Sequence, residues 1–159
     1  LLEELVGVAL RQFRSLYPSC LVQVRLPCDL PLVEYDATLM ERVLCNLLEN
    51  AAKYGPAGGK VEVTAEMEGG HLCLAVTDQG AGFPARSLDH VFDSFERGHP
   101  ESSHPGVGLG LAICRVIVEA HGGTIRGTNR AQGGAQVKVC LPLGVPPVFE
   151  EEESDRGLD

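Results

Sequence analysis

Residues 46–55 read NLLENAAKYG, and within them Leu47, Leu48, Ala51 and Ala52 recur at the spacing of a buried helical face. Asn46 and Asn50 stand four residues apart in the same stretch, so they share one stripe of that helix. Asparagine is a poor interior helix residue because its side chain competes for backbone hydrogen bonds, at a cost of roughly half a kcal/mol each. Two on one stripe point to a stripe that collects a ligand. Asp36 suits an N-cap and Gly55 suits the position just past the end. The spacing therefore predicts a helix from Ala37 to Tyr54, about 27 Å long at the usual rise per residue.

Working outward, the opening LLEELVGVALRQFRSLY places Leu2, Leu5, Val6, Ala9, Leu10 and Phe13 at helical spacing, with Pro18 beyond its end. CLVQVRLP alternates like a half-buried strand, and CDLPLVEY follows as a proline-punctuated connection. KVEVTAEMEGGHLCLAVTDQG is two alternating runs joined at Gly69-Gly70, a β-hairpin. The next segment, GAGFPARSLDHVFDSFERGHPESSHPGVG, holds at most short helical turns, and long irregular stretches inside compact domains are usually functional lids or linkers. LGLAICRVIVEAH reads as a third helix closed by Gly122-Gly123, and TIRGTN and AQVKVCLPL pair around RAQGG. The order α-β-α-β-β-lid-α-β-β predicts a two-layer α/β sandwich: a mixed, largely antiparallel sheet with three helices on one face. One domain is expected over residues 1–143, followed at 144–159 by a proline-rich, then acidic, tail.

A chain of 159 residues with 44% apolar content can bury a core without metal or disulfide staples. Its net charge of −9, part of it in the ending FEEEESDRGLD, opposes a broad nucleic-acid surface. A small anionic ligand held by backbone N–H groups and a cation remains compatible with that charge. No apolar run approaches the roughly 18–20 residues of a membrane span, and the acidic start is unlike a signal peptide, so a cytosolic setting without direct membrane contact is expected. The six cysteines, at 20, 28, 45, 73, 114 and 140, form no CxxC pair, and most sit in apolar runs. They are expected to be reduced, buried small hydrophobes rather than a zinc site or disulfide framework. The five histidines lack metal-ligand spacing.

Three clusters carry chemistry. In PGVGLGLAICR, Gly106, Gly108 and Gly110 lead into the third helix, as either a phosphate cradle or a flexible linker; the pattern is neither Walker A nor the Rossmann fingerprint. In VTDQGAGFP, Asp78 ends an apolar strand and Gly80 and Gly82 follow, either to receive a ligand's amine beside a flat ring or as a plain turn. On the central helix, Lys53 and Tyr54 follow Asn50 by three and four residues and share its face. Asn50 can offer a carbonyl oxygen to a hard cation such as Mg²⁺. The alternative is an ordinary Glu49–Lys53 surface pair with solvated asparagines.

Taken in order, NLLENAAKY, DQGAG, FDSFERG and GVGLGLAICR resemble the asparagine box, first glycine box, phenylalanine box and second glycine box of the sensor histidine kinase catalytic domain. That ATP-binding fold is shared with gyrase, Hsp90 and MutL. The resemblance covers residues 1–143. FERG, the lid spacing, LAICRVIVEAHGGTI and the ending are most similar to the potassium-responsive branch of these kinases. The resemblance implies ATP and Mg²⁺ as cofactors, with Asn50 as metal ligand and Asn46 supporting the phosphate and metal region. It implies that Lys53 faces phosphate, Tyr54 flanks the adenine, and Asp78 takes the adenine amine beside Gly80 and Gly82. Gly106, Val107, Gly108, Leu109, Gly110 and Leu111 would close the lid over the triphosphate, and Arg97 would approach the γ-phosphate. Phe92 and Phe95 would anchor the lid's start, or simply be core.

The hydrolases of that superfamily carry a glutamate four residues before the metal-binding asparagine, where this chain has Asn46. An amide cannot act as general base, which points to phosphoryl transfer rather than ATP hydrolysis. Such kinases phosphorylate a histidine on a separate helical hairpin, and His71, His90, His99, His104 and His121 all lack that hairpin's sequence context. The resemblance thus implies a catalytic piece of an inner-membrane sensor kinase. Its partners would be the histidine-bearing dimerisation domain and a response regulator, and the piece alone would be monomeric. The alternatives are an inactive interaction module of the same fold and an ATP-driven clamp.

Overall fold

The computed structural model describes residues 1–55, 59–83, 92 and 107–144, with 107–109 described by backbone alone. The elements run α1 (Leu2–Leu16), β1 (Leu21–Arg25), α2 (Ala37–Tyr54), β2 (Lys60–Glu68), β3 (His71–Thr77), α3 (Val107–Ala120), β4 (Thr124–Asn129) and β5 (Ala135–Pro142). This is the order expected from the sequence. The five-stranded sheet runs β1-β2-β3-β5-β4. β1 pairs parallel with β2 and the other ladders are antiparallel, so the sheet is mixed and largely antiparallel as expected.

Period-two alternation assigns the two faces of the sheet. Val61, Val63 and Ala65 of β2, Leu72, Leu74 and Val76 of β3, and Val137, Val139 and Leu141 of β5 enter the core beneath the helices. The opposite face is polar, and there Lys138 Nζ lies 2.8 Å from Glu68 and 3.9 Å from Glu66. α1 buries Leu5, Val6, Ala9, Leu10 and Phe13, and α2 buries Met40, Val43, Leu44, Leu47, Leu48 and Ala51.

The Asp36 side chain accepts from Leu39 N at 2.9 Å, which satisfies one orphan donor at the start of α2. His121, just past α3, ties the same end down. Its Nε2 accepts from Asp36 N at 3.0 Å while Nδ1 meets the Ile117 carbonyl at 2.8 Å, a donation that leaves Nε2 free to accept. Gly55 ends α2 differently from the left-handed cap its type suggests: φ is −77° and the chain leaves extended. Gly69 and Gly70, at φ 53° and 78°, make the tight turn between β2 and β3.

Two further expectations are corrected. Cys73 and Cys140 are directly opposite each other on β3 and β5, with Cα atoms 4.1 Å apart, and form a disulfide. Sequence spacing could not reveal this, because 67 residues separate them and only the antiparallel register brings them together. Cys20, Cys28, Cys45 and Cys114 are free, and Cys28 is exposed rather than buried. The third helix also begins earlier than expected, at Val107 rather than Leu109, so Gly108 lies within it rather than ahead of it. Most of the irregular segment, at 84–91 and 93–106, and the ending at 145–159 lie outside the described residues.

Core position and surface position on α2 are expected to separate cleanly. Leu48→Ala, at a fully buried site, should cost about 2–5 kcal/mol, and Leu39→Ala, at a 39%-exposed site, about 0.5 kcal/mol or less, both read from urea-denaturation midpoints.

Candidate functional site

Asp78 follows β3 and is only 6% exposed. Its own N–H donates to Ala135 O at 2.9 Å, and its Oδ1 accepts from Gly80 N at 2.8 Å and Ala135 N at 3.2 Å. Both acceptances fall on Oδ1, and Oδ2 takes no hydrogen bond from the described residues. The backbone approaches so closely here that side chains cannot be tolerated. A Cβ on Gly80 would collide with the Tyr54 carbonyl oxygen, and one on Gly134, which also has φ +91°, would collide with the Asp78 carbonyl oxygen. The glycines therefore press the end of α2 and the β4–β5 turn against the strand that carries the carboxylate.

Asp78 lines a small cleft with Asn50, Ala51 and Tyr54 of α2, Val76 of β3 and Ala135 and Val137 of β5. Gly82 and Phe83 close its side, and the free volume is about 20 Å³, room for roughly one water molecule. Asn50 Nδ2 is buried there without a hydrogen-bond partner among the described residues. An unpaired buried polar group costs about 1–3 kcal/mol, so it is a natural point for a ligand to satisfy.

Asn46, one turn earlier, donates from Nδ2 to Gly110 O of α3 at 3.4 Å. A Cβ at Gly110 would lie 3.9 Å from Asn46 Cγ, an ordinary van der Waals contact. Beside this contact, Cys114 donates to Val43 O at 3.7 Å, and burial pushes its thiol up to about 12 despite the nearby Asn46 amide and Arg42. Lys53 is half-buried in the last turn of α2, and among the described ion pairs none joins it to Glu49. Tyr54 is 42% exposed, and partial burial raises its hydroxyl above the usual range.

Of the residues singled out in the sequence, the structure thus brings Asn50, Tyr54, Asp78, Gly80 and Gly82 together, with Asn46 and Gly110 adjoining. Leu111 is 3% exposed and packs in the core, and Phe92 is partly buried against that core. Val107, Gly108 and Leu109 form the first turn of α3, with no side-chain description. Phe95, Arg97 and Gly106 lie outside the described residues.

Sequence reasoning missed Asn129 and Phe83. Asn129 Oδ1 accepts from Phe83 N at 2.7 Å and Asn129 Nδ2 donates to Phe83 O at 2.8 Å, fastening the chain where it leaves the cleft. An asparagine at a strand end reads as a turn residue, and nothing in the sequence ties it to a position 46 residues away.

Residues 35–145 match the family model described as Histidine kinase-, DNA gyrase B-, and HSP90-like ATPase. The chain belongs to this family, and is an ATP-binding catalytic domain of the sensor histidine kinase kind. Its relatives include the sensor protein KdpD of Escherichia coli K12, 48% identical over 154 residues, covering 97% of this chain and 17% of that protein. KdpD of Clostridium acetobutylicum is 37% identical, covering 89% of this chain and 16% of its own length. The chain therefore spans about a sixth of these relatives. Among solved structures, the mycobacterial sensor histidine kinase MprB superposes with a TM-score of 0.78 at 34% identity, over 89% of this chain and 95% of that one. The nucleotide-free catalytic domain of histidine kinase ThkA gives 0.76 at 28% identity, over 89% and 91%.

Two outcomes check this geometry. Gly134→Ala should lose more stability than Gly133→Ala in thermal melts: both have positive φ, but only Gly134 has a neighbour, the Asp78 carbonyl, in the way of a Cβ. The second concerns Cys114, whose folded thiol is raised from an ordinary 9.0 to about 12. Its contribution should be fully present below about pH 9, where the unfolded thiol keeps its proton, and be lost as pH rises toward 12. Urea titrations from pH 7 upward, compared with Cys114→Ala, should isolate that slope.

Proposed function

We propose that this domain binds Mg-ATP between α2 and the Asp78 end of the sheet, and passes the γ-phosphoryl group to a histidine on a separate dimerisation domain. The observation that carries the reading is the buried Asn50 Nδ2, without a hydrogen-bond partner among the described residues, in the cleft that Asp78 also lines. A half-turn of the Asn50 amide exchanges Nδ2 and Oδ1. One side chain can thus donate to a phosphate oxygen or offer its carbonyl oxygen to Mg²⁺. When bound, the metal supplies charge neutralisation on the phosphates.

The remaining roles fall to the chain's own groups. Asp78 accepts the adenine amine through Oδ2, since Oδ1 is already engaged by Gly80 and Ala135. Tyr54 flanks the ring, and Gly80 and Gly82 lie beside it. Asn46, held to Gly110, supports the phosphate region, and Lys53 meets phosphate charge. Arg97, Phe92 and the segment 106–111 take the roles of γ-phosphate contact, lid anchor and lid closure. With an amide at Asn46 in place of a carboxylate, no general base activates water there, which favours transfer to a protein nucleophile over hydrolysis.

The same reading extends to the longer protein. It places this domain on the cytoplasmic side of an inner-membrane sensor kinase, upstream of a response regulator. The likeness to KdpD favours a potassium or osmotic-stress signal. Among the described residues no helix is long and apolar enough to cross a membrane. The domain itself, at 1–143, is read as a monomer that shows little transfer without its acceptor, because phosphoryl transfer is mostly positioning and charge stabilisation.

Calorimetric titration with ATP, with and without Mg²⁺, tests the site. The wild-type chain should bind more tightly with Mg²⁺, and Asn50→Ala should lose that benefit. Asp78→Asn should weaken ATP binding by roughly tenfold to a hundredfold, about 1–3 kcal/mol. Unchanged affinity in both variants would place the nucleotide elsewhere. Radiolabel from γ-labelled ATP on a supplied acceptor domain tests the kinase step; an unlabelled acceptor with intact ATP binding would reject it.

A further inference from the structure

The polar face of the sheet carries a feature that the nucleotide site does not use. Cys73 sits on β3, the middle strand, and Cys140 directly opposite on β5, at the third of seven residue pairs in that ladder. On its core side the same ladder is also held by Leu72–Leu141, Leu74–Val139 and Val76–Val137. Cys73 is 2% exposed, whereas Cys140 is half-buried and more open to a small reagent. The other four cysteines are free, one of them, Cys28, exposed, so this is not a chain stapled throughout by disulfides.

We propose that Cys73 and Cys140 are a reversible redox-modification site, a dithiol–disulfide couple that fastens β3 to β5 on the face opposite the helices. The co-reactant is a low-molecular-weight disulfide of the glutathione class. The Cys140 thiolate attacks one sulfur of that disulfide, its S–S bond breaks, and one thiolate leaves. The Cys73 thiolate then attacks the Cys140 sulfur, forming the intramolecular bond and expelling the second thiolate. The two cysteines lose two electrons and two protons, and the reagent gains both as two thiols. A dithiol reductant reverses the sequence.

The surroundings suit the chemistry. The sulfur atoms lie within 4.8 Å of the Glu68 carboxylate, which alone would oppose thiolate formation. Lys138, two residues before Cys140 and on its face, is paired to that carboxylate at 2.8 Å and offsets its charge. The register presents each sulfur to the other without backbone movement, so the second attack is intramolecular and favoured by proximity. At the far end of the same ladder, Asp78 and Ala135 exchange hydrogen bonds, so the oxidised couple also restrains the strands that seat the carboxylate.

The purified chain is treated with glutathione disulfide or with dithiothreitol, then unfolded, alkylated and weighed by mass spectrometry. Four alkylated cysteines after oxidation and six after reduction are expected, with peptide mapping linking Cys73 to Cys140. Closing a loop of this length should raise the melting temperature of the oxidised form by on the order of 10 °C over the reduced form. The difference should vanish in Cys140→Ser. Six alkylated cysteines after oxidation, a link to any other cysteine, or identical melting of the two wild-type forms would overturn the proposal. The wild-type comparison decides it even if the variant fails to fold, and none of these readouts depends on nucleotide binding.

Discussion

The burial of one face of α2 against the sheet is the constraint from which the site follows. Val43, Leu44, Leu47 and Leu48 are each 2% exposed or less, and Ala51 is 6%. Successive helical residues turn by about 100°, so locking those side chains into the core leaves no freedom in where the asparagines lie. Asn46 is carried against α3 and Asn50 into the cleft. The apolar stripe sustains an Nδ2 with no partner among the described residues, because the packing around it outweighs a penalty of about 1–3 kcal/mol. An isolated helix would turn that amide to water.

Asp78 obeys a parallel logic on the sheet. β3 is buried along both faces for most of its length, and the carboxylate emerges where its pairing with β5 ends. Two hydrogen bonds, from Gly80 and Ala135 N–H, hold the carboxylate, Asp78 N–H donates to Ala135 O, and glycines at 80 and 134 permit the backbone crowding that this seat requires. A carboxyl so enclosed is tolerated because N–H donors satisfy one oxygen, while the other takes no hydrogen bond from the described residues. Helix and strand thus deliver one amide and one carboxylate to a common cleft from separate parts of the chain.

The sheet divides its work between its faces. Toward the helices it supplies the core and the floor of the cleft. Away from them it carries paired charges and the Cys73–Cys140 couple, whose effect reaches the cleft only through the shared ladder.

Much of this was legible in one dimension. Helical spacing, alternation and the glycine pairs gave the element order, because each reports burial over a few neighbouring residues. The four motifs gave the family and placed Asn50, Asp78 and the nearby glycines. The sequence did not reveal features that arise between distant segments: the Cys73–Cys140 pair made by register and the Asn129 clasp on Phe83. Local periodicity determined which residues face inward; only the tertiary packing decided which of them meet, because contacts across the sheet depend on register and crossover rather than on separation along the chain.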